Sequence, residues 1–151
     1  NLTAVILTAL ELGMSLDEIK IALHDIEPVE HRLQMIKSGG KIIIDDSFNG
    51  NLEGMLEAVK ISGTYAGRKV IITPGIVEST VEANTKLACA INEIFDVVIL
   101  TGSLNVKVLS DNIDSTKIVT LKDKKSMEEC LAKTTKIGDL ILFANDAPNF
   151  I

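Results

Sequence analysis

The sequence predicts an α/β fold: a mostly parallel β-sheet flanked by helices, with one antiparallel hairpin strand near its start. Three observations carry that expectation. Short runs rich in Ile and Val recur at 41–45 (KIIID), 69–73 (KVIIT), 96–101 (DVVILT), 117–120 and 139–143 (DLILF). Segments of helical periodicity lie between them, and strands alternating with helices pair in parallel through crossover connections. The Ile42-Ile43-Ile44 run is continuously apolar, the pattern of a strand buried on both faces.

The elements follow in order. Residues 2–12, rich in Ala, Leu and Ile, read as a helix that is apolar almost all round, so burial on most of its sides is expected. Gly13 ends it. Ser15 is an N-cap with Glu18 three positions later, a capping box, and the helix that follows carries Leu16, Ile19, Ile21, Ala22 and Leu23 and stops before Pro28. Leu33, Met35 and Ile36 form a short strand, and Ser38-Gly39-Gly40 is the hairpin signal that turns it into 41–45. A polar loop at 46–51 leads to a helix at 52–62. Strand 69–73 is followed by a loop through Pro74 and Gly75 and a helix at 81–95. Strand 96–101, a short helix at 105–110, strand 117–120, a helix at 126–133 with Ser126 as cap and Glu129 three residues on, and strand 139–143 complete the chain. There is no internal repeat and no low-complexity segment.

Bulk properties narrow the function classes. The 151 residues suffice for one domain with a core. Hydrophobic residues make up 46% and charged residues 24%, ordinary for a soluble domain, but aromatics are only 3%. With so few rings there is little stacking surface for single-stranded nucleic acid, and a formal charge of −6 gives no long-range attraction to nucleic acid or anionic lipid. No apolar run approaches the length of a membrane span, and no leader peptide is visible. Cys89 and Cys130 lie far apart in helical patterns, without the CxxC or Cys/His spacing of a zinc site. They read as small buried hydrophobes and fit a reducing cytoplasm.

In open α/β sheets, ligands bind at the carboxyl ends of the strands. The first such loop is Asp45-Asp46-Ser47-Phe48-Asn49-Gly50-Asn51. Its acids and amides can accept from ribose hydroxyls, donate to an amide-recognising ligand or hold Mg²⁺; equally, they can form an Asx-rich turn that caps the next helix. After the second long strand comes Pro74-Gly75-Ile76-Val77-Glu78, where Gly75 permits close backbone approach to a ligand. Glu78 there is a recognition carboxylate or a charge in the first turn of the next helix. Ala144-Asn145-Asp146-Ala147-Pro148 follows the last strand. Arg32 reads as a solvated cation, and His24 and His31, without partners at metal spacing, as structural or surface residues. No GxGxxG, GxxxxGK[ST] or GxSxG is present. By itself the chain has neither phosphate cradle nor nucleophile, so it is expected to be inactive alone.

Taken together, these residues resemble the Mur ligase family of ATP-dependent peptide ligases. Asp45-Asp46-Ser47-Phe48-Asn49-Gly50-Asn51 followed by Met55 is similar to DDSYNANPxSM, the form found in members that add D-alanyl-D-alanine. Asn1-Leu2-Thr3-Ala4 through Gly13 resembles the Asn-led helix closing the family's central ATPase domain. Pro28 to Arg32 resembles P-x-x-[GH]-R, which opens its C-terminal domain, and Thr73 to Glu78 resembles GxMxELG.

The resemblance implies that residues 1–27 are the helical tail of the central ATPase domain and 28–151 a Rossmann-like C-terminal domain. The phosphate loop, the Mg²⁺ ligands and the UDP-binding domain would then lie upstream. It implies ATP and Mg²⁺ as cofactors, UDP-MurNAc-tripeptide and D-alanyl-D-alanine as substrates, and an acyl phosphate attacked by the incoming amine. It implies that Asn1, Arg32 and Asp46 contact ATP, with Arg32 and Asp46 the catalytic pair. Asn49, Asn51 and Glu78 fall on the substrate side, and no metal ligand falls in this chain.

The sequence departs from the family pattern in several places. Phe48 stands for Tyr, Leu52 for Pro and Asn84 near a usual His; the Leu-Gly after Glu78 is missing, and Phe143-Ala144-Asn145 replaces KGS. The last change falls on dipeptide-carboxylate recognition, and a changed amine substrate also fits. Among rivals, a receiver domain shares the paired acids, but Thr101-Gly102 and Ala144-Asn145 stand where it needs Asp and Lys. A non-catalytic α/β binding module, a single-amino-acid Mur ligase and a folylpolyglutamate-type ligase are further rivals. DDSFNGN is nearer to the dipeptide-adding form than to DYAHxP or DSKATN.

Overall fold

Glycine sets the edge of the sheet. In a computed structural model of the chain, which describes residues 2–27, 29–48, 50–121 and 126–144, Gly39 and Gly40 take φ of 55° and 71°. This left-handed pair folds β1 (Gln34–Ser38) back on β2 (Lys41–Asp46). Two helices precede the hairpin, α1 (Leu2–Glu11) and α2 (Leu16–His24). After it come α3 (Leu52–Gly63), β3 (Lys69–Thr73), α4 (Val81–Ile94), β4 (Val97–Leu100), α5 (Val106–Ser110), β5 (Ile118–Thr120), α6 (Met127–Thr134) and β6 (Leu140–Ala144). These are the helices and strands expected from the sequence, within one or two residues.

The strands lie in the order β1-β2-β6-β3-β4-β5. Only β1 runs antiparallel; β2, β6, β3, β4 and β5 are mutually parallel. This order determines where the helices go. The steps from β2 to β3, β4 and β5 all move in one direction, and the step from β5 to β6 reverses it. Right-handed crossovers therefore put α3, α4 and α5 on one face and α6 on the other. The core divides accordingly. On the first face Met55, Ala58, Val59, Leu87, Ala88, Ile91 and Leu109 pack with Ile44, Ile71, Val98, Leu100, Leu140 and Leu142. On the second, Met127, Cys130 and Leu131 pack over Val70, Ile72, Ile99 and Ile141.

Four expectations need correction, the simplest being that Cys89 is exposed and Cys130 only half-buried. β3, β4 and β6 are buried on both faces, but β2 buries only Ile44. Among the described residues the second face has one covering helix where the first has three, so Ile43 stays half-buried. α1 buries none of its residues, and α2 only Ile19. Leu2, Val5, Leu7, Leu12, Leu16 and Ile21 are more than half exposed, because two short helices side by side cover little of each other. The capping box forms at Ser15, with Glu18 Oε2 accepting from the Ser15 backbone N–H at 2.8 Å. At Ser126, however, the backbone sits at φ −91°, ψ 4°, outside the extended conformation of a capping residue, and the side chain makes no capping bond.

Candidate functional site

The antiparallel register brings two sequence-distant stretches together at the carboxyl end of β2. Gln34 pairs with Asp45, so residues 31–33, entering β1, lie beside 45–48, leaving β2. The turn is held from several sides. His31 Nδ1 is 2.8 Å from Asp45 Oδ2, and Ser47 Oγ donates to the other Asp45 oxygen at 2.5 Å. The Leu33 N–H donates to Asp46 Oδ1 at 3.1 Å, and the Phe48 N–H to the His31 carbonyl at 3.1 Å. Between these clamps Arg32 is exposed, with its guanidinium 4.4 Å from the centre of the Phe48 ring, a cation–π contact.

The backbone of this turn is unusual. His31 has φ 62° and Leu33 φ 49°, and no other described residue except glycine has positive φ. Each such residue costs on the order of 1 kcal/mol or more and persists where its surroundings over-determine it.

Asp46 is half-buried, and burial pushes its carboxyl above the ordinary range. The Leu33 N–H opposes that shift, the neighbouring Asp45 charge adds to it, and Arg32 opposes it.

The other expected site residues lie in different surroundings. Asn51 is the N-cap of α3: in extended backbone, its Oδ1 accepts the Gly54 N–H at 2.8 Å, so helix capping describes its contact. Glu78 is exposed in a turn before the α4 cap Thr80, not in the first turn of that helix. Gly75 has φ 75°, but the groups its missing Cβ makes room for belong to the chain itself: an added Cβ would lie 2.5 Å from Asn84 Oδ1 and 3.1 Å from Asn105 Cβ. Asn1, Asn49 and Pro28 lie outside the described residues, as does the 145–148 stretch.

Two asparagines with no part in the sequence-level site organise this second loop. Asn84, 1% exposed, accepts the Ile76 N–H at 2.8 Å and donates to the carbonyls of Ile76 and Thr80. Asn105 donates to the carbonyls of Pro74 and Ile76. Further along the same end of the sheet, a cleft of about 490 Å³ is lined by Gly102, Ser103, Val106, Thr120 and Leu121. Among the described residues, no three His, Cys, Asp or Glu side chains converge as metal ligands would. No helix there is long and apolar enough to cross a membrane.

No family model matches the chain. Its curated relatives include the UDP-N-acetylmuramoyl-tripeptide–D-alanyl-D-alanine ligase of Buchnera aphidicola from Acyrthosiphon pisum, 32% identical over 134 residues, which cover 76% of this chain and 29% of that protein. Among solved structures, MurF ligase from Thermotoga maritima in complex with ADP superposes with a TM-score of 0.76 at 21% identity, over 94% of this chain and 33% of that one. MurF from Acinetobacter baumannii superposes with a TM-score of 0.75 at 22% identity, over 96% and 33%. Over most of its length the chain is similar to Mur ligases. It spans about a third of the length of the Mur ligases it matches, and its sheet of parallel strands with one antiparallel hairpin strand superposes on the solved ones over that part.

Against this Mur-ligase background, sequence reasoning singled out Arg32 and Asp46 and missed their supports. His31 and Asp45 are 14 residues apart and meet only through the β1–β2 register. A local signal did exist for Asp45, the doubled acid at a strand end, but none existed for its partner.

Proposed function

We propose that this chain is the C-terminal domain of an ATP-dependent ligase of peptidoglycan-precursor synthesis. The whole enzyme would join D-alanyl-D-alanine to UDP-MurNAc-tripeptide, as the names of the curated relatives state for those proteins. Residues 28–151 form the ligase C-terminal domain, and 1–27 belong to the tail of a preceding ATPase domain. The uncovered apolar surfaces of α1 and α2 support that division. One observation carries the reading of the site: an arginine and a half-buried aspartate held together on a strained turn at the carboxyl end of a parallel strand.

ATP supplies the phosphoryl group that activates the peptide carboxylate. On domain closure Arg32 brings a guanidinium to the transferring phosphate, where a preorganised positive charge counts most. Asp46 accepts from ribose hydroxyls. Asn1 and Asn49 take nucleotide and substrate contacts in this scheme, while Asn51 and Glu78 face the incoming amine. Mg²⁺ is held by the preceding domain, and the enzyme works in the cytoplasm.

The test uses the full-length enzyme. Phosphate release from ATP is followed with UDP-MurNAc-tripeptide, with and without D-alanyl-D-alanine. The proposal expects release that depends on the dipeptide. Release with a single amino acid instead would move the chain to another branch of the family, and none with any amine would refute a catalytic role.

A further inference from the structure

We propose that His31 and Asp45 are positioning residues that set Arg32 for the nucleotide; the inference rests on the reading of Arg32 given above. Arg32 sits between two residues in left-handed backbone, His31 and Leu33. Bulky L-residues leave that conformation unless contacts hold them. At Leu33 the hold is its N–H on Asp46 Oδ1. At His31 it is the ring on Asp45, assisted by the His31 N–H on Gln34 Oε1 at 3.4 Å and its carbonyl accepting from Phe48.

Asp45 is well placed to act as an anchor. Its side chain is 19% exposed, against 55% for the His31 ring. Ser47 donates to one of its oxygens, which turns the other toward the ring. The imidazole can donate from Nδ1 either as the neutral Nδ1–H tautomer or as the imidazolium. Without this contact the turn relaxes, and the guanidinium leaves its seat over Phe48. The two adjacent acids therefore divide the work: Asp46 faces the nucleotide, and Asp45 faces inward and holds the turn.

The experiment measures kcat, KM for ATP and thermal melting in the full-length enzyme. His31→Ala and Asp45→Ala are expected to lower kcat/KM for ATP by roughly tenfold to a hundredfold, the effect of misplacing a reacting group by about an ångström, with melting near that of the parent. His31→Asn is expected to restore activity, because Asn tolerates left-handed backbone and its Nδ2 can donate to Asp45. In an Arg32→Ala background, neither alanine variant should lower activity further. Losses that persist in that background would overturn the positioning role, since they would arise elsewhere than through Arg32. Full activity of both alanine variants beside a crippled Arg32→Ala would also overturn it while leaving the reading of Arg32 intact. Normal kinetics in Arg32→Ala itself would remove that reading and the inference with it.

Discussion

Two loops at the same end of the sheet are built in opposite ways. The loop after β3 is closed on itself: Asn84 and Asn105 meet its backbone groups, Gly75 takes the required positive φ, and Ile76 is buried. The 31–33 turn and the end of β2 instead place residues other than glycine in left-handed backbone, hold a carboxylate above its ordinary range and leave an arginine exposed. The first arrangement uses its polar groups to hold its own shape. The second gives up stability to present a charge, which is the mark of a functional site more than of a scaffold.

The largest effect should separate the two loops by activity. In the full-length protein, the proposed ligase role predicts that Arg32→Ala reduces turnover roughly a hundredfold or more, the scale of losing one preorganised charge-stabilising group, with an unchanged melting curve. Steady-state kinetics beside a thermal melt checks both halves, and near-normal turnover would erase the contrast. On the closed side the loss should appear in stability. Asn84→Ala strands the buried Ile76 N–H and is expected to cost about 1–3 kcal/mol, measured by denaturant unfolding. A cost under half that would show that the loop repairs itself.

A smaller effect sharpens the position of Asn51. Its cap on Gly54 predicts that Asn51→Ala loses about 1 kcal/mol and that Asn51→Asp keeps the helix stable. If Asn51→Asp is stable yet weakens use of the amine substrate, the residue both caps and recognises; if activity also survives, capping accounts for it.

The smallest effect has an unusual sign. The folded carboxyl of Asp46 titrates above its unfolded value, so the stability linked to it is full below the ordinary carboxylate range and is lost as pH rises through the raised value. Asp46→Asn keeps an oxygen for the Leu33 N–H and should melt slightly higher at neutral pH, with the gain fading as the pH is lowered toward the ordinary carboxylate range. Melting across pH checks this, and a lower melting point at neutral pH would contradict the burial account.

Much of the fold was legible because its signals are local. Ile-rich strands, the Ser15 capping box and the Gly39-Gly40 turn each act within a few residues, and strand–helix alternation predicts parallel pairing without a partner being known. The burial of β2 and α1 was misjudged for the opposite reason: an apolar residue states a preference for burial, and whether a second surface exists to satisfy it depends on the rest of the assembly.

The helices and strands, their order and the doubled acid at the end of β2 could all be read along the chain, since backbone propensity and side-chain alternation are properties of neighbouring residues. Folding in three dimensions was needed to insert β6 between β2 and β3 and, among the described residues, to leave α6 alone over the second face. It was needed as well for His31 to meet Asp45 across the hairpin register. Each depends on contacts between residues far apart along the chain, which packing selects and no local pattern encodes.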